Sequence, residues 1–180
     1  MTVAELLWLT SRTAALTAFF VIAAALITGQ ALRTFVLEGW VGRREVVAVH
    51  GFLTVCWAPL VAVHVLAGAL DPVSRLTPLD VVIPLRVPYA ALPIGLGTLG
   101  FDVLLVVAVT SYLRKQMDAA TWRWLHRTSY LMFGLMFLHA VLSGTDLGRP
   151  VIAAAVWATF SFVVILTVAR VAIGRVSVST

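Results

Sequence analysis

Residues 46–70 read VVAVHGFLTVCWAPLVAVHVLAGAL, and residues 122–143 read WRWLHRTSYLMFGLMFLHAVLS. Each is long and apolar enough to cross a hydrocarbon core of about 30 Å, which takes about 20 helical residues. Yet each carries two histidines, His50 and His64 in the first and His126 and His139 in the second, and the chain has no others. An ionisable side chain inside a membrane is costly and by default marks a functional site. The intervals are 14 and 13 residues. At about 1.5 Å rise per residue, each pair spans roughly 20 Å of helix. Two helices so equipped, running the same way, would set histidine against histidine in two layers.

The whole chain agrees with a membrane setting. Its 180 residues are 61% hydrophobic and 12% charged, with mean hydropathy +1.02, where soluble domains carry about 25% charged residues. The reading is an all-α integral membrane helical bundle, a single domain over residues 1–180. About five transmembrane helices are expected, over 13–32, 46–70, 90–113, 122–143 and 150–172. The run 14–27 is followed by no clean A-x-A site, so the first helix is expected to be retained. Cys56 stands alone in an apolar run and reads as a small hydrophobe.

The net charge of +5 is best read by location. With the N-terminus outside, nine basic residues fall on the cytoplasmic side: Arg33, Arg43, Arg44, Arg114, Lys115, Arg123, Arg127, Arg170 and Arg175. Four fall outside: Arg12, Arg75, Arg86 and Arg149. The positive-inside rule selects this topology, with the C-terminus cytoplasmic. The charge therefore implies no nucleic-acid partner. His50 and His126 come to the inner side, and His64 and His139 to the outer side. An external loop, 71–92, is rich in proline, with Pro72, Pro78, Pro84 and Pro88 in it and Pro93 just beyond. It reads either as a plain connector or as a lid over the outer site. Pro59 is expected to kink the second helix.

Paired neutral imidazoles suit the axial positions of a haem that transfers electrons. Zinc fits less well, since structural sites gather four ligands and each layer here has two. A proton relay that includes Asp102 is another reading, although Asp102 also reads as a snorkelling carboxylate near the external end of its helix. The 14-residue interval returns to nearly one helical face, about 40° off, whereas 13 residues land about 140° away. The fourth span is therefore expected to depart from ideal geometry near Gly134, or else its histidines address the two sites from different sides. Gly51, Gly68 and Gly144, near the histidines, would permit close approach of a macrocycle. Arg43, Arg44, Arg123 and Arg127 are candidate partners for inner propionates, and Arg75 and Arg86 for outer ones. Trp57 and Phe133 stand between the layers, as core packing or as a bridge for electrons.

The run W-R-W-L-H-R-T-S-Y at 122–130, the 13-residue step to His139 and the H-x13-H pair at His50 and His64 resemble the ferric reductase-like transmembrane domain family. That family includes ferric reductases, NADPH oxidases and small bacterial haem b membrane proteins, and the resemblance covers about residues 43–172. It implies two haem b groups on the four histidines, in a multi-pass protein of the bacterial inner membrane. It implies electrons passing from a cytoplasmic donor to an external acceptor: ferric iron, oxygen, quinone or a partner protein. Larger members carry a FAD/NADPH domain. No G-x-G-x-x-G fingerprint is found here, so flavin is expected only on a separate flavoprotein, with the quinol pool as the other donor. A quinol-linked dihaem cytochrome b and a haem-free proton-coupled membrane protein are the rival readings.

Overall fold

A computed structural model describes residues 1–34, 41–74 and 76–173. Among them there are helices and turns and no strand. The α-helices are α1 (Val3–Thr34), α2 (Arg43–Leu70), α3 (Ala91–Tyr112), α4 (Ala119–Arg127), α5 (Ser129–Ser143) and α6 (Pro150–Ile173). Short 3₁₀ turns occur at Pro78–Val81, Arg114–Gln116 and Thr145–Gly148. Four helices, α1, α2, α3 and α6, are long and apolar enough to cross a membrane. This is a membrane-embedded helical bundle.

Two boundaries differ from the sequence reading. Helix α1 begins at Val3, ten residues before the expected span. A reciprocal cap starts it: the Thr2 N–H donates to Glu5 Oε2 (2.7 Å), and the Glu5 N–H to Thr2 Oγ1 (3.2 Å). Such a cap satisfies donors that a helix start leaves orphaned, whereas hydropathy reports only the apolar part. The expected fourth span is two helices, α4 and α5, each too short to be a spanning candidate by itself. They part at Thr128, not at Gly134. The Thr128 N–H donates three residues back to Leu125 O (3.0 Å), and its hydroxyl takes the same carbonyl (2.6 Å). Helix α2, by contrast, continues through Pro59.

Helix α1 is the central element. It packs on α2, α6 and α5, while α3 packs on α5 and α4. The core takes Phe19, Ile22, Ala23 and Leu26 from α1, with Val61, Leu104, Met132, Phe133, Phe137, Val156 and Val163 around them. Phe133 stacks on Phe19 with centroids 5.0 Å apart, and Phe137 on Phe160 at 3.7 Å. Outward positions are large and apolar: Phe52 and Val55 on α2 and Val151 and Ile165 on α6 are each more than 60% exposed. In hydrocarbon such side chains are solvated rather than stranded. Helices α2 and α5 do not pack closely on each other. The histidines lie across that space.

The segment between α2 and α3 forms a cap over one end of the bundle. The Asp80 carboxylate accepts from the Thr77 N–H (2.8 Å), the Thr77 hydroxyl (2.6 Å) and Arg86 Nε (3.0 Å). The Thr98 hydroxyl of α3 donates to Asp80 O (3.1 Å) and ties the cap down. Leu85 and Ala90 hold positive φ, 62° and 47°, a left-handed conformation uncommon for residues with a side chain.

Candidate functional site: two facing histidine pairs

The structure brings His50 against His126 and His64 against His139. Ring centroids lie 6.3 Å apart in the first layer and 6.2 Å in the second, with interplanar angles of 75° and 64°. Two separate pairs thus share one spacing within 0.1 Å. The break at Thr128 falls within the 13-residue interval. A tightened turn advances about 120° per residue instead of about 100°, which reduces the mismatch a straight helix would carry.

Each ring is held from behind through Nδ1. His50 Nδ1–H donates to Ala25 O (2.9 Å), with Thr28 Oγ1 at 3.3 Å. His64 Nδ1–H is shared between Ser11 O (3.0 Å) and Ser11 Oγ (2.9 Å), and the Ser11 hydroxyl donates to His64 O (3.0 Å). His139 Nδ1–H donates to Pro93 O (2.8 Å), with Ser143 Oγ at 3.3 Å. A carbonyl only accepts, so these three rings carry their proton on Nδ1 when neutral, and Nε2 holds the lone pair. His126 Nδ1 lies 3.3 Å from Ser111 Oγ, and its ring stacks on Trp122 at 5.0 Å. The α2 histidines are thus braced by α1, and the α4 and α5 histidines by α3.

One local device recurs. His50 donates to the carbonyl of Ala25, and a Cβ on Gly29, four residues on, would lie 3.2 Å from His50 Cε1. His139 donates to the carbonyl of Pro93, and a Cβ on Gly97, again four residues on, would lie 2.7 Å from His139 Nδ1. Each ring rests where the neighbouring helix has no side chain. Ser11 and Ala25 are 14 residues apart, as are His50 and His64, so one antiparallel register of α1 on α2 serves both layers.

Does this arrangement fit a haem? A metal–imidazole nitrogen bond is about 2 Å, and the ring centroid sits roughly 1.1 Å behind its nitrogen, so two imidazoles on opposite sides of one metal would have centroids about 6.2 Å apart. Rings hydrogen-bonded to each other would come to about 5 Å. The observed spacings match the first arrangement. The Nδ1–H to carbonyl bonds are the usual outer-shell support of a ligating imidazole. Among the described residues there is no group of three or more His, Cys, Asp or Glu side chains able to hold a bare metal ion. Two ligands per layer suit a metal whose remaining ligands come with it.

A cavity of about 340 Å³ opens at the second layer. Its lining includes His64, His139, Ser11, Arg12, Gly97, Thr98, Phe133 and Asp146, and its size is at the lower end of ligand pockets. Arg12 pairs with Asp146 at 2.5 Å and covers Trp8 at 5.0 Å. In the sequence Arg12 figured only as an external charge, and Trp122 only as the start of the W-R-W-L-H-R run. Nothing in the sequence marked the bracing roles of Ser11, Ala25, Gly29, Pro93, Gly97 and Ser111. Four-residue spacing of a small residue is common in membrane helices and becomes informative only once a ring is seen above it.

The other anticipated residues are distributed as follows. Arg43 Nη1 donates to Leu32 O (3.4 Å), Arg44 and Arg127 are exposed, and Arg123 is half-buried on α4. Arg114 instead lies over the Trp122 ring, 4.4 Å from its centroid. Arg86 is engaged by Asp80, and Arg75 lies outside the described residues. Phe133 is 2% exposed and lines the cavity, whereas Trp57 is half-buried against the core. Gly68 and Gly144 line the cavity, and Gly51 faces open space. Asp102 sits at the middle of α3, not near its end. Comparison of the chain with protein-family models, with curated proteins and with solved structures returns no match.

Proposed function

We propose that this chain is a transmembrane electron carrier with two b-type haems, one on His50 and His126 and the other on His64 and His139. The observation that carries the reading is the repeated imidazole separation, 6.3 and 6.2 Å. A haem held by such a pair of imidazoles would supply a one-electron iron couple. The chain's own residues do the rest. Backbone carbonyls of Ala25, Ser11 and Pro93 fix the tautomer and aim of three rings and raise the basicity of Nε2. Trp122 backs the fourth. Phe19 and Phe133 fill the interior and keep water from it. Arg12 joins the outer site as a candidate propionate partner.

In this reading the His50–His126 layer is cytoplasmic and faces the donor, a separate flavoprotein or the quinol pool. The His64–His139 layer faces the external acceptor. The chain is then a small bacterial relative of the ferric reductase-like transmembrane proteins, a haem-binding unit of the inner membrane.

Pyridine haemochrome analysis of purified protein, set against protein mass, tests this. Two b-type haems per chain are expected. His50→Ala or His126→Ala should leave one haem, as should His64→Ala or His139→Ala, and the spectra of the two sets should differ. A colourless protein after expression with ample haem, or variants that keep both groups, would overturn the assignment.

A further inference from the structure

Asp102 is the only acidic residue among those described that lies away from a helix end or a connecting segment. It sits at the middle of the 22-residue α3. Around it Leu99, Leu105, Val106 and Val109 are 41–53% exposed, while Gly100, Leu104 and Val107 on the other side of the helix are buried. Asp102 is therefore centred on the outward face. The cap does not reach it: Thr98, one turn along, is the residue that donates to the Asp80 carbonyl. Among the described residues Asp102 makes no hydrogen bond and no ion pair.

A carboxylate aimed at hydrocarbon is costly, and such groups normally find a partner. We infer that the outward face of α3 is the docking site for a transmembrane helix of another protein, one that places a cationic or amide side chain at mid-height against Asp102. Charge complementarity makes the choice of occupant. Among its described residues a second copy of this chain offers no such group on an outward face: the amide of Gln30 is buried and donates to Thr167 Oγ1 (2.9 Å). Arg12 is held by Asp146 and Arg170 by Tyr130, the four histidines lie between helices, and the other described basic residues are at helix ends or in short segments. Two copies would instead bring carboxylate to carboxylate. The apolar rim at Leu99, Val106 and Val109 provides the packing surface that membrane helix association requires.

The test uses the full chain in its native membrane, with a benzophenone amino acid at Val106 and, as control, at Ile165 on α6. The expected result is one defined adduct from position 106, absent from position 165. It should be retained in Asp102→Glu and reduced at least tenfold in Asp102→Leu. The crosslinked segment should carry Lys, Arg, His, Asn or Gln at mid-span, and Asp102→Lys combined with an acidic residue at that position should restore the adduct. Asp102→Leu removes a half-buried charge that has no partner among the described residues, so the isolated chain should melt no lower than wild type in detergent. A lower melting point would make Asp102 a structural residue and overturn the proposal. So would crosslinks to lipid only, an adduct with a second copy, or an adduct indifferent to Asp102.

Discussion

At the scale of single residues, what matters most is what stands behind each imidazole. Gly97 has no room for a side chain: its Cβ would enter the His139 ring at 2.7 Å. Overpacking of this kind costs about 1–3 kcal/mol, and here the strain falls on the His139 ring itself. On the two-haem proposal, Gly97→Ala should fold yet lose the haem assigned to His64 and His139, which halved haem content per chain would report. Gly29→Ala, with 3.2 Å of clearance, should shift the spectrum of the other haem without expelling it. Asp80 gives a pH-dependent case. Hydrogen bonds from the Thr77 hydroxyl and backbone, with help from Arg86, hold its carboxyl below the ordinary value of 3.8. A carboxyl depressed on folding contributes stability above its unfolded value and loses it as pH falls through the folded one. Hydrogen exchange in residues 77–86 should therefore stay protected at neutral pH and rise when the medium is taken well below 3.8. Asp80→Asn should show the raised exchange at both.

At the scale of elements, the short helix α4 has a task that its length hides. It holds His126 and Trp122, and its start depends on Asp118, whose carboxylate accepts from the Ala120 and Thr121 N–H groups at 3.0 and 2.9 Å. Asp118→Ala removes that cap. Exchange protection in α4 should fall, and, on the two-haem proposal, the haem assigned to His50 and His126 should become the more easily extracted, with the one assigned to His64 and His139 unaffected. Equal loss from both layers would contradict this division of labour. The element scale is also where the sequence is least transparent. Hydropathy finds α1, α2, α3 and α6, because uninterrupted apolar length is a strong signal. It merges α4 with α5, because Thr128 is neither proline nor glycine and the break lies in a carbonyl shared between a backbone donor and a hydroxyl. The mismatch of 13 residues announced an irregularity, and its site depended on that local hydrogen bonding. The histidine layers were legible for a simpler reason: two helices of the same direction with similar intervals must bring like ends together. The partners on α1 and α3 were not, since a backbone carbonyl carries no letter in the sequence.

At the scale of the whole molecule, the aromatic interior and the outward apolar faces play opposite parts. Phe133 contacts Phe19 and Phe160 and is 2% exposed. Phe133→Ala should cost on the order of 3 kcal/mol and lower the thermal midpoint in detergent. Ile165→Ala, at a position 63% exposed, should leave it nearly unchanged, since its side chain meets solvent hydrocarbon in the folded state as well. A similar drop for both would mean that the α6 face is covered.

The braces of the two layers have a further consequence for anyone who surveys the protein by mutation or rebuilds it elsewhere. The acceptors at Ala25 and Pro93 belong to the main chain, so exchanging those side chains leaves them in place. A scan by substitution would record Ala25 and Pro93 as indifferent to the rings they aim. Moving the four histidines onto another scaffold would fail for the same reason unless two helix registers travelled with them. The information that orients these rings is positional, stored in how far one helix has slid along the next. A single-residue insertion in the middle of α1 is its most sensitive probe.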